Sequence, residues 1–592
     1  MKSKVRIFLL CATIAVASCS KESIYDSGST NNGSASGGTS STTPSTDTDS
    51  FDNDEDIISN TNFDRTISIV WSSSSATVSG DDNGVVSVNG ADVTIDNTGT
   101  SEKVKYELSG SCSSGSLKLY SNNKQALVLN NLTLTNPSGA AINNQGKKRC
   151  YVVVNGANTL ADGSSAAYSA TGDEDLKAVF FSEGQLLFSG SGSLTVTANN
   201  AQGKAGITSD DYVRVLDSPS ISVTSGSSAG HGLRGKDAVA IDGGSVSISV
   251  AAAMKKGITS DSLVVFNGGT TTIKATGGTA YDSEDADYKA SAGVKADQVF
   301  KMNDGTLTVT NSGQGGKGIT GDAVAYFNGG TVEVNVSGSN YGSSSSGGGG
   351  FGPRASTSTD NSKSAKAIKF DGDIHFNGGS VNATATNHEA IESKGAMNIT
   401  GGAVYGFSKA DDGINSAGNM TISGGNVCAY STGNDGMDAN GNLYIKGGFV
   451  YAIGATSPEV AIDANTESGY QVYLTGGTLV AIGGLENGAS LSQSCYSASS
   501  WNKNTWYSIT VGSTTHAFKT PSSGGTGLVV SGASQPSVQS GVTTSGGTSI
   551  WDGMGVLDCS ASGGSAVSLG SYSGGAGMGG GPGGMGGGRG GW

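Results

Sequence analysis

The sequence predicts an all-β chain folded as a right-handed parallel β-helix, and three observations predict it. One unit recurs about ten times between residues 207 and 483: an apolar lead residue, a Gly-Gly or near equivalent ten positions later, then an alternating apolar run. The leads are Ile207, Leu233, Ile258, Val294, Ile319, Ile368, Ile391, Ile414, Met437 and Ile462. The four from Ile368 to Met437 lie 23 residues apart, and others lie 25 or 26 apart. Internal periods of this length mark stacked coils, in which each unit buries its apolar face only against its neighbours. The composition agrees, because 96 Gly against 8 Pro supplies tight corners without breaking strands. That is the pattern of a Gly-rich β-solenoid rather than of a disordered chain. A β-propeller is the competing architecture, but its blades take about 40–50 residues.

Residues 1–18 read as a lipoprotein signal peptide and are set aside from fold reasoning. Lys2, Lys4 and Arg6 precede the apolar run Ile7 to Val16, and Val16-Ala17-Ser18-Cys19 resembles the lipobox of bacterial lipoproteins. The resemblance implies cleavage before Cys19 and lipidation of its thiol and new amine. Ser20, where an Asp would retain the protein, resembles sorting to the outer membrane. Residues 19–60, rich in Ser, Thr, Asp and Gly, form a flexible linker.

The β-helix is expected over 61–485. Up to about residue 200 the repeat is looser, and Val85-Val86-Ser87-Val88, Leu127-Val128-Leu129 and Tyr151-Val152-Val153-Val154 read as cap and first coils. In the regular part the pairs Ile374/Phe376, Met397/Ile399, Met420/Ile422, Leu443/Ile445 and Val472/Leu474 sit four and two residues before a Gly-Gly. Spacing of two puts each pair on one face of a strand, and the glycines turn the corner into the next strand. Two insertions interrupt the coils, an acidic one at Tyr281–Asp287 and a Gly/Ser loop at 338–365. Residues 486–570 read as a β segment closing the solenoid, and 571–592 as a Gly/Met-rich disordered tail. Beyond the signal, Cys112, Cys150, Cys428, Cys495 and Cys559 are odd in number and lack metal-like spacing. The exported context admits a Cys112–Cys150 bridge without requiring one.

From about 61 to 560 the chain resembles the bacterial carbohydrate-binding β-helix family. The motifs that carry the resemblance are Leu129-Asn130-Asn131-Leu132-Thr133-Leu134 with Gly139-Ala140-Ala141-Ile142, Asn158-Thr159-Leu160-Ala161-Asp162-Gly163, and Gly257-Ile258-Thr259-Ser260-Asp261, followed by the Gly-Gly rungs. Their order is more specific than any one of them. The resemblance implies binding of cellulose and polygalacturonate, a calcium content, and similarity in fold to family-nine polysaccharide lyases without their turnover.

Registering the coils on the lead residue shows what one edge presents. Two positions before the lead, the late coils give Glu389, Asp412 and Asp435, with Glu459 shifted by one. One position after it they give Glu392, Asn415, Asp438 and Asp463, and Asp411 and Asn434 add oxygens three positions before. Coils lie about 4.8 Å apart, so these carboxylates repel unless protonated or bridged by a cation. Oxygen-only donors favour a hard cation, and calcium tolerates irregular geometry. One to three calcium ions are therefore expected between the coils led by Ile391 and Ile462. The earlier coils instead carry Arg234, Lys295 and Lys369 after the lead, and Lys317 and Lys366 before it. These could hold an acidic sugar, or serve as counter-ions to Asp210, Asp261, Asp297, Asp322 and Asp371. Tyr405, Phe407, Tyr430, Phe449 and Tyr451, which recur after the corner, suggest either a sugar-stacking strip or aromatic packing between coils.

Net charge of −15 argues against nucleic acid as a partner. Only four histidines occur, none in a metal or triad spacing. By the resemblance a lyase would use a lysine base beside calcium, for which Lys394 and Lys409 are nearest, yet an acidic edge raises a lysine pKa where catalysis needs it lowered. The expectation is a monomeric, lipid-anchored, cell-surface protein of the outer membrane that binds acidic polysaccharide with calcium and does not cleave it. A calcium-dependent lyase and a structural adhesin or spacer are the alternatives.

Overall fold

Short β-branched runs broken by glycine corners can bury their apolar faces by stacking coil on coil. In the computed structural model they do so as parallel coils. The structure describes residues 53–342 and 362–574, apart from parts of 165–177. The signal segment, Cys19, most of the linker, the 343–361 part of the Gly/Ser loop and the tail from 575 lie outside the described residues.

Each regular coil holds three short strands. Ile391–Ser393, Met397–Ile399 and Ala403–Ser408 make one coil, and Ile414–Ser416, Met420–Ile422 and Asn426–Ser431 the next. Like strands pair in parallel from coil to coil. The lead strands form a 15-stranded sheet, and the other two sets join a larger one. At the N-terminal end of the described coils Arg65–Trp71 pairs antiparallel with Ala76–Ser79, and Val86–Asn89 with Asp92–Asn97, and these pairs cap the stack.

The predicted register holds at every step from Ile207 to Ile462, and extends upstream to Phe180 and Ile142. Every lead is fully buried. Burial of one such side chain contributes about 1.5–3 kcal/mol, and Ile414→Ala would cost about 2–5 kcal/mol through the cavity it leaves. The Gly-Gly corner is a requirement of sterics. Gly402 has φ +76, and a Cβ on Gly401 would lie 2.3 Å from the Asn377 carbonyl of the coil before.

Just before this corner runs a ladder of amides. Asn267 donates to Asp242 (2.7 Å), Asn303 to Asn267, Asn328 to Asn303 and Asn377 to Asn328 (2.8 Å each), and the Thr400 hydroxyl to Asn377 (3.0 Å). At its head Asp242 accepts from Arg214, which also pairs with Asp56 at 3.0 Å. Asp56 belongs to a segment, residues 53–63, that lies across the early coils. Its buried carboxylate also takes Arg149 Nε at 2.9 Å, and Ile58 and Phe63 pack against Tyr151, Leu187 and Tyr212.

At the other end Leu528–Ser531 pairs antiparallel with Thr478–Ile482 and closes the last coil. A six-stranded antiparallel sheet that includes Trp506–Val511 and Thr514–Lys519 packs against the flank of the final coils and builds a second core there. The five cysteines among the described residues are all buried and free. Cys112 pairs with Leu134 and Cys150 with Gln125, nine residues apart along one strand. That is roughly 30 Å, so no Cys112–Cys150 bridge forms.

Candidate functional site

The residue after each lead builds a continuous ladder: Thr208, Arg234, Thr259, Lys295, Thr320, Lys369, Glu392, Asn415, Asp438 and Asp463. Leu485 forms a further parallel bridge with Ile462, which puts Glu486 on the next rung. One more 23-residue step from Ile462 lands on Leu485, so this carboxylate was legible in the repeat.

The acidic half is tightly woven. Asn415 donates from one amide to Asp412 (2.9 Å) and to Asp438 (3.1 Å), and Asn434 donates to Asp411 (3.1 Å). Backbone N–H groups of Asp435, Val460 and Ala464 donate to Asp412, Asp435 and Asp463 respectively. Asp412 is 4% exposed and Asp435 8%. Burial pushes Asp412 up to about 8, and Asp411, Asp438 and Asp435 add to the shift against the Asn415 hydrogen bond. Burial likewise lifts Asp435 to about 7 and Asp463 to about 8, reinforced in each case by neighbours that include Glu486, and Glu459 acts on Asp435 as well. Asp438 rises to about 6, again chiefly from burial. Among the described residues no Lys, Arg or His forms an ion pair with Asp412, Asp435, Asp438, Asp463, Glu459 or Glu486. These six groups, two of them buried and the rest half-buried, thus have no counter-charge of the protein's own among the described residues, and without a cation burial keeps Asp412, Asp435 and Asp463 at least partly protonated near neutral pH. Such a donor set, all oxygen and irregular, suits a hard divalent cation.

The top of the acidic half differs. Lys366 pairs with Glu389 at 3.1 Å and with Glu392, and Lys394 also reaches Glu392. Glu392 is 1% exposed. Burial alone would raise its pKa, but Lys366 and Lys394 outweigh that and lower it. His388 contacts Glu389 and lies 2.8 Å from Asp411, so one imidazole and two carboxylates converge there. Sequence reasoning passed over His388 because its spacing to other histidines was uninformative; its position beside Glu389 was the available signal.

In the basic half most cations face carboxylates. Arg234 meets Asp210 (3.5 Å) and Asp261 (3.0 Å), Lys295 meets Asp297 and Asp322 (2.9 Å), and Lys369 meets Asp371. The counter-ion arrangement is the one found at these three. Lys317 is different, since among the described residues its ammonium donates to the carbonyls of Gly315 (3.1 Å) and Ser364 and to no carboxylate. The aromatic strip is covered: Tyr405, Tyr430, Phe449 and Tyr451 are buried with Tyr507, Phe518 and Trp551 of the C-terminal sheet. Trp551 donates to the Asn426 carbonyl and Tyr451 to that of Lys519. An apolar flank of this size gains more from that cover than from solvent, so the packing role holds and the sugar strip does not. Of the two lysines considered as a base, Lys394 sits on Glu392 and Lys409 is exposed. Neither occupies the desolvated, carboxylate-poor setting a lysine base requires.

A comparison with curated proteins finds no match. Among solved structures the polysaccharide lyase-like protein from C. thermocellum, in its gadolinium derivative, is similar with a TM-score of 0.35 and 21% identity. The similarity covers 44% of this chain and 96% of that one. The profile of the family described as carbohydrate-binding domain-containing protein matches residues 89–254 and 247–342. The match spans the first coils and most of the basic half, and it supports a carbohydrate-binding family for them.

Proposed function

We propose that this protein binds an acidic polysaccharide, such as polygalacturonate, and holds it without cleaving it, with calcium seated among the last coils. In this reading a lipid on Cys19 anchors the protein in the outer membrane and presents it at the cell surface. Cellulose is a second candidate ligand. The observation that carries the calcium part is the run of stacked carboxylates at Asp412, Asp435, Asp438, Asp463, Glu459 and Glu486, which the protein leaves without a cation. Asn415, Asn434 and Asp411 supply further oxygens at its upper side, and Glu389 and Glu392 border it. The carbohydrate part is supported by the family match over 89–342. Bound calcium would supply positive charge and open coordination positions for a uronate carboxylate.

The test is retention of the full chain in a gel containing polygalacturonate, with calcium and then with chelator, alongside thermal melting. Retention and a higher Tm in calcium are expected. No retention in either condition would overturn the reading and favour the spacer, and release of unsaturated sugar would favour the lyase.

A further inference from the structure

The acidic insertion folds as a β-hairpin, Ala280–Asp282 against Asp287–Lys289. Tyr281 and Tyr288 face each other across it, with ring centres 5.2 Å apart, and Tyr341, from the turn two coils on at the same corner, joins them at 5.5 Å from Tyr288. Three of its four carboxylates are engaged locally: Asp282 and Asp285 pair with Lys289, and Asp287 lies 3.6 Å from Lys363, while Glu284 forms no ion pair among the described residues. Tyr281 is nevertheless 52% exposed. A large aromatic left open on a protruding hairpin, beside two more rings, is a platform of the kind that sugar rings stack on.

The hairpin stands on the corner where the lead strands begin, and two unusual lysines lie there. Lys256 donates from its ammonium to the Met254 carbonyl (2.7 Å), and Lys317 to Gly315 and Ser364. Neither forms an ion pair with a carboxylate among the described residues. In register they are two rungs apart, with Ala292 between, which sets their backbones roughly 10 Å apart. Burial lowers Lys256 to about 8, helped by Lys295, Lys289 and Lys255. It lowers Lys317 to about 7, helped by Lys366, Lys369 and Lys363. His231 accepts the Lys256 backbone N–H on Nδ1 and is held neutral by burial, with Lys256, Lys255, Arg234 and Lys289 adding to it. This corner thus differs from the acidic one: Lys256 and Lys317 are crowded by other lysines and pair directly with no carboxylate among the described residues, while the hairpin carboxylates are taken up by Lys289 and Lys363.

We propose that this corner is a second polysaccharide site, independent of calcium, in which Tyr281, Tyr288 and Tyr341 hold sugar rings and Lys256 and Lys317 receive an anionic substituent. The inference rests on the acidic-polysaccharide reading and deepens it by giving that glycan a second place to bind. The anion is a sugar carboxylate or a sulfate ester, both of which accept charge-assisted hydrogen bonds from ammonium groups. All five residues lie within the span that matches the carbohydrate-binding profile.

The experiment uses the full chain in chelator, in gels containing polygalacturonate, dextran sulfate or neutral dextran. Retention on one or both polyanions and none on neutral dextran is expected, and the two polyanions separate carboxylate from sulfate. Tyr281→Ala with Tyr288→Ala, and separately Lys317→Gln, should weaken this retention at least tenfold. Asp435→Asn should leave it unchanged. Tyr281 is exposed, so Tyr281→Ala alone keeps the test open if the double variant fails to fold. Retention that vanishes entirely in chelator, or that survives the tyrosine and lysine variants, would overturn the second site while leaving calcium-dependent binding intact. Absence of retention with and without calcium would overturn both readings together.

Discussion

The basic and acidic halves of the edge occupy the same rungs of one ladder and solve the same electrostatic problem differently. In the first half charged residues alternate with threonine, as Thr208, Arg234, Thr259, Lys295, Thr320 and Lys369, so like charges stand two rungs apart. Each of these cations also meets an aspartate. In the second half Asp438, Asp463 and Glu486 fall on consecutive rungs and meet no cation. At about 4.8 Å per rung, the first arrangement compensates itself and the second does not. The difference teaches that the order of charges along a solenoid edge, more than their number, decides where an outside ion is needed.

The comparison can be broken most directly at its acidic end. Replacing Asp435 and Asp463 together by Asn should weaken calcium binding at least 100-fold by titration calorimetry. It should also raise the Tm in chelator, because two mutually repelling carboxylates are gone. An unchanged calcium affinity would place the ion elsewhere.

The border between the halves offers the next test. Lys366→Met removes the buried cation shared by Glu392 and Glu389 and leaves them Lys394 and His388, and breaking a buried pair costs about 3–5 kcal/mol. Denaturant unfolding should show a loss of up to that size in chelator, and calcium should recover part of it, since the variant extends the under-compensated carboxylates one coil up the stack.

pH should drive the two corners in opposite directions. Asp438, Asp435, Asp412 and Asp463 are raised to between about 6 and about 8 from an unfolded value near 3.9. The fold therefore favours their protonated forms, and that stability is complete below about pH 4 and lost as pH rises to about 8. Melting in chelator should show a falling Tm over this window, and the gain on adding calcium should grow. Chelator-resistant glycan retention should instead weaken several-fold as pH rises through 7 to 8, where Lys317 and Lys256 lose their protons beside His231, Lys295, Lys289 and Asp297. The smallest effect is expected at Lys295→Gln. Its partly exposed pairs with Asp297 and Asp322 contribute about 0–1 kcal/mol, and a larger loss by denaturant unfolding would show that the counter-ion ladder supports the stack.

Most of the edge could be read from spacing because stacking converts a period in the chain into adjacency in space. The 23-residue spacing of Ile391, Ile414 and Met437 is enough to set the register of Glu392, Asn415 and Asp438. What could not be read depends on contacts outside the period. Asp56 meets Arg149 and Arg214 across 93 and 158 residues, and no local pattern announces that clamp. The C-terminal sheet buries Tyr405 and Phe449 from outside the repeat. Tyr281 is legible only as part of an acidic insertion that ends at Asp287, and hairpin pairing brings its ring against Tyr288, just beyond that insertion.

The asparagine ladder carries one more consequence, for how such a chain can change. Its successive partners are 25, 36, 25, 49 and 23 residues apart in sequence, yet every link stays between 2.7 and 3.0 Å. The two long intervals contain the tyrosine hairpin and the Gly/Ser loop, both at a different corner of the coil. The ladder thus measures height along the stack and ignores how much chain is spent elsewhere. Loops at the hairpin corner are free to lengthen, shorten or be exchanged among variants of this protein, while a single residue gained between an asparagine and its corner would leave two amides unmatched.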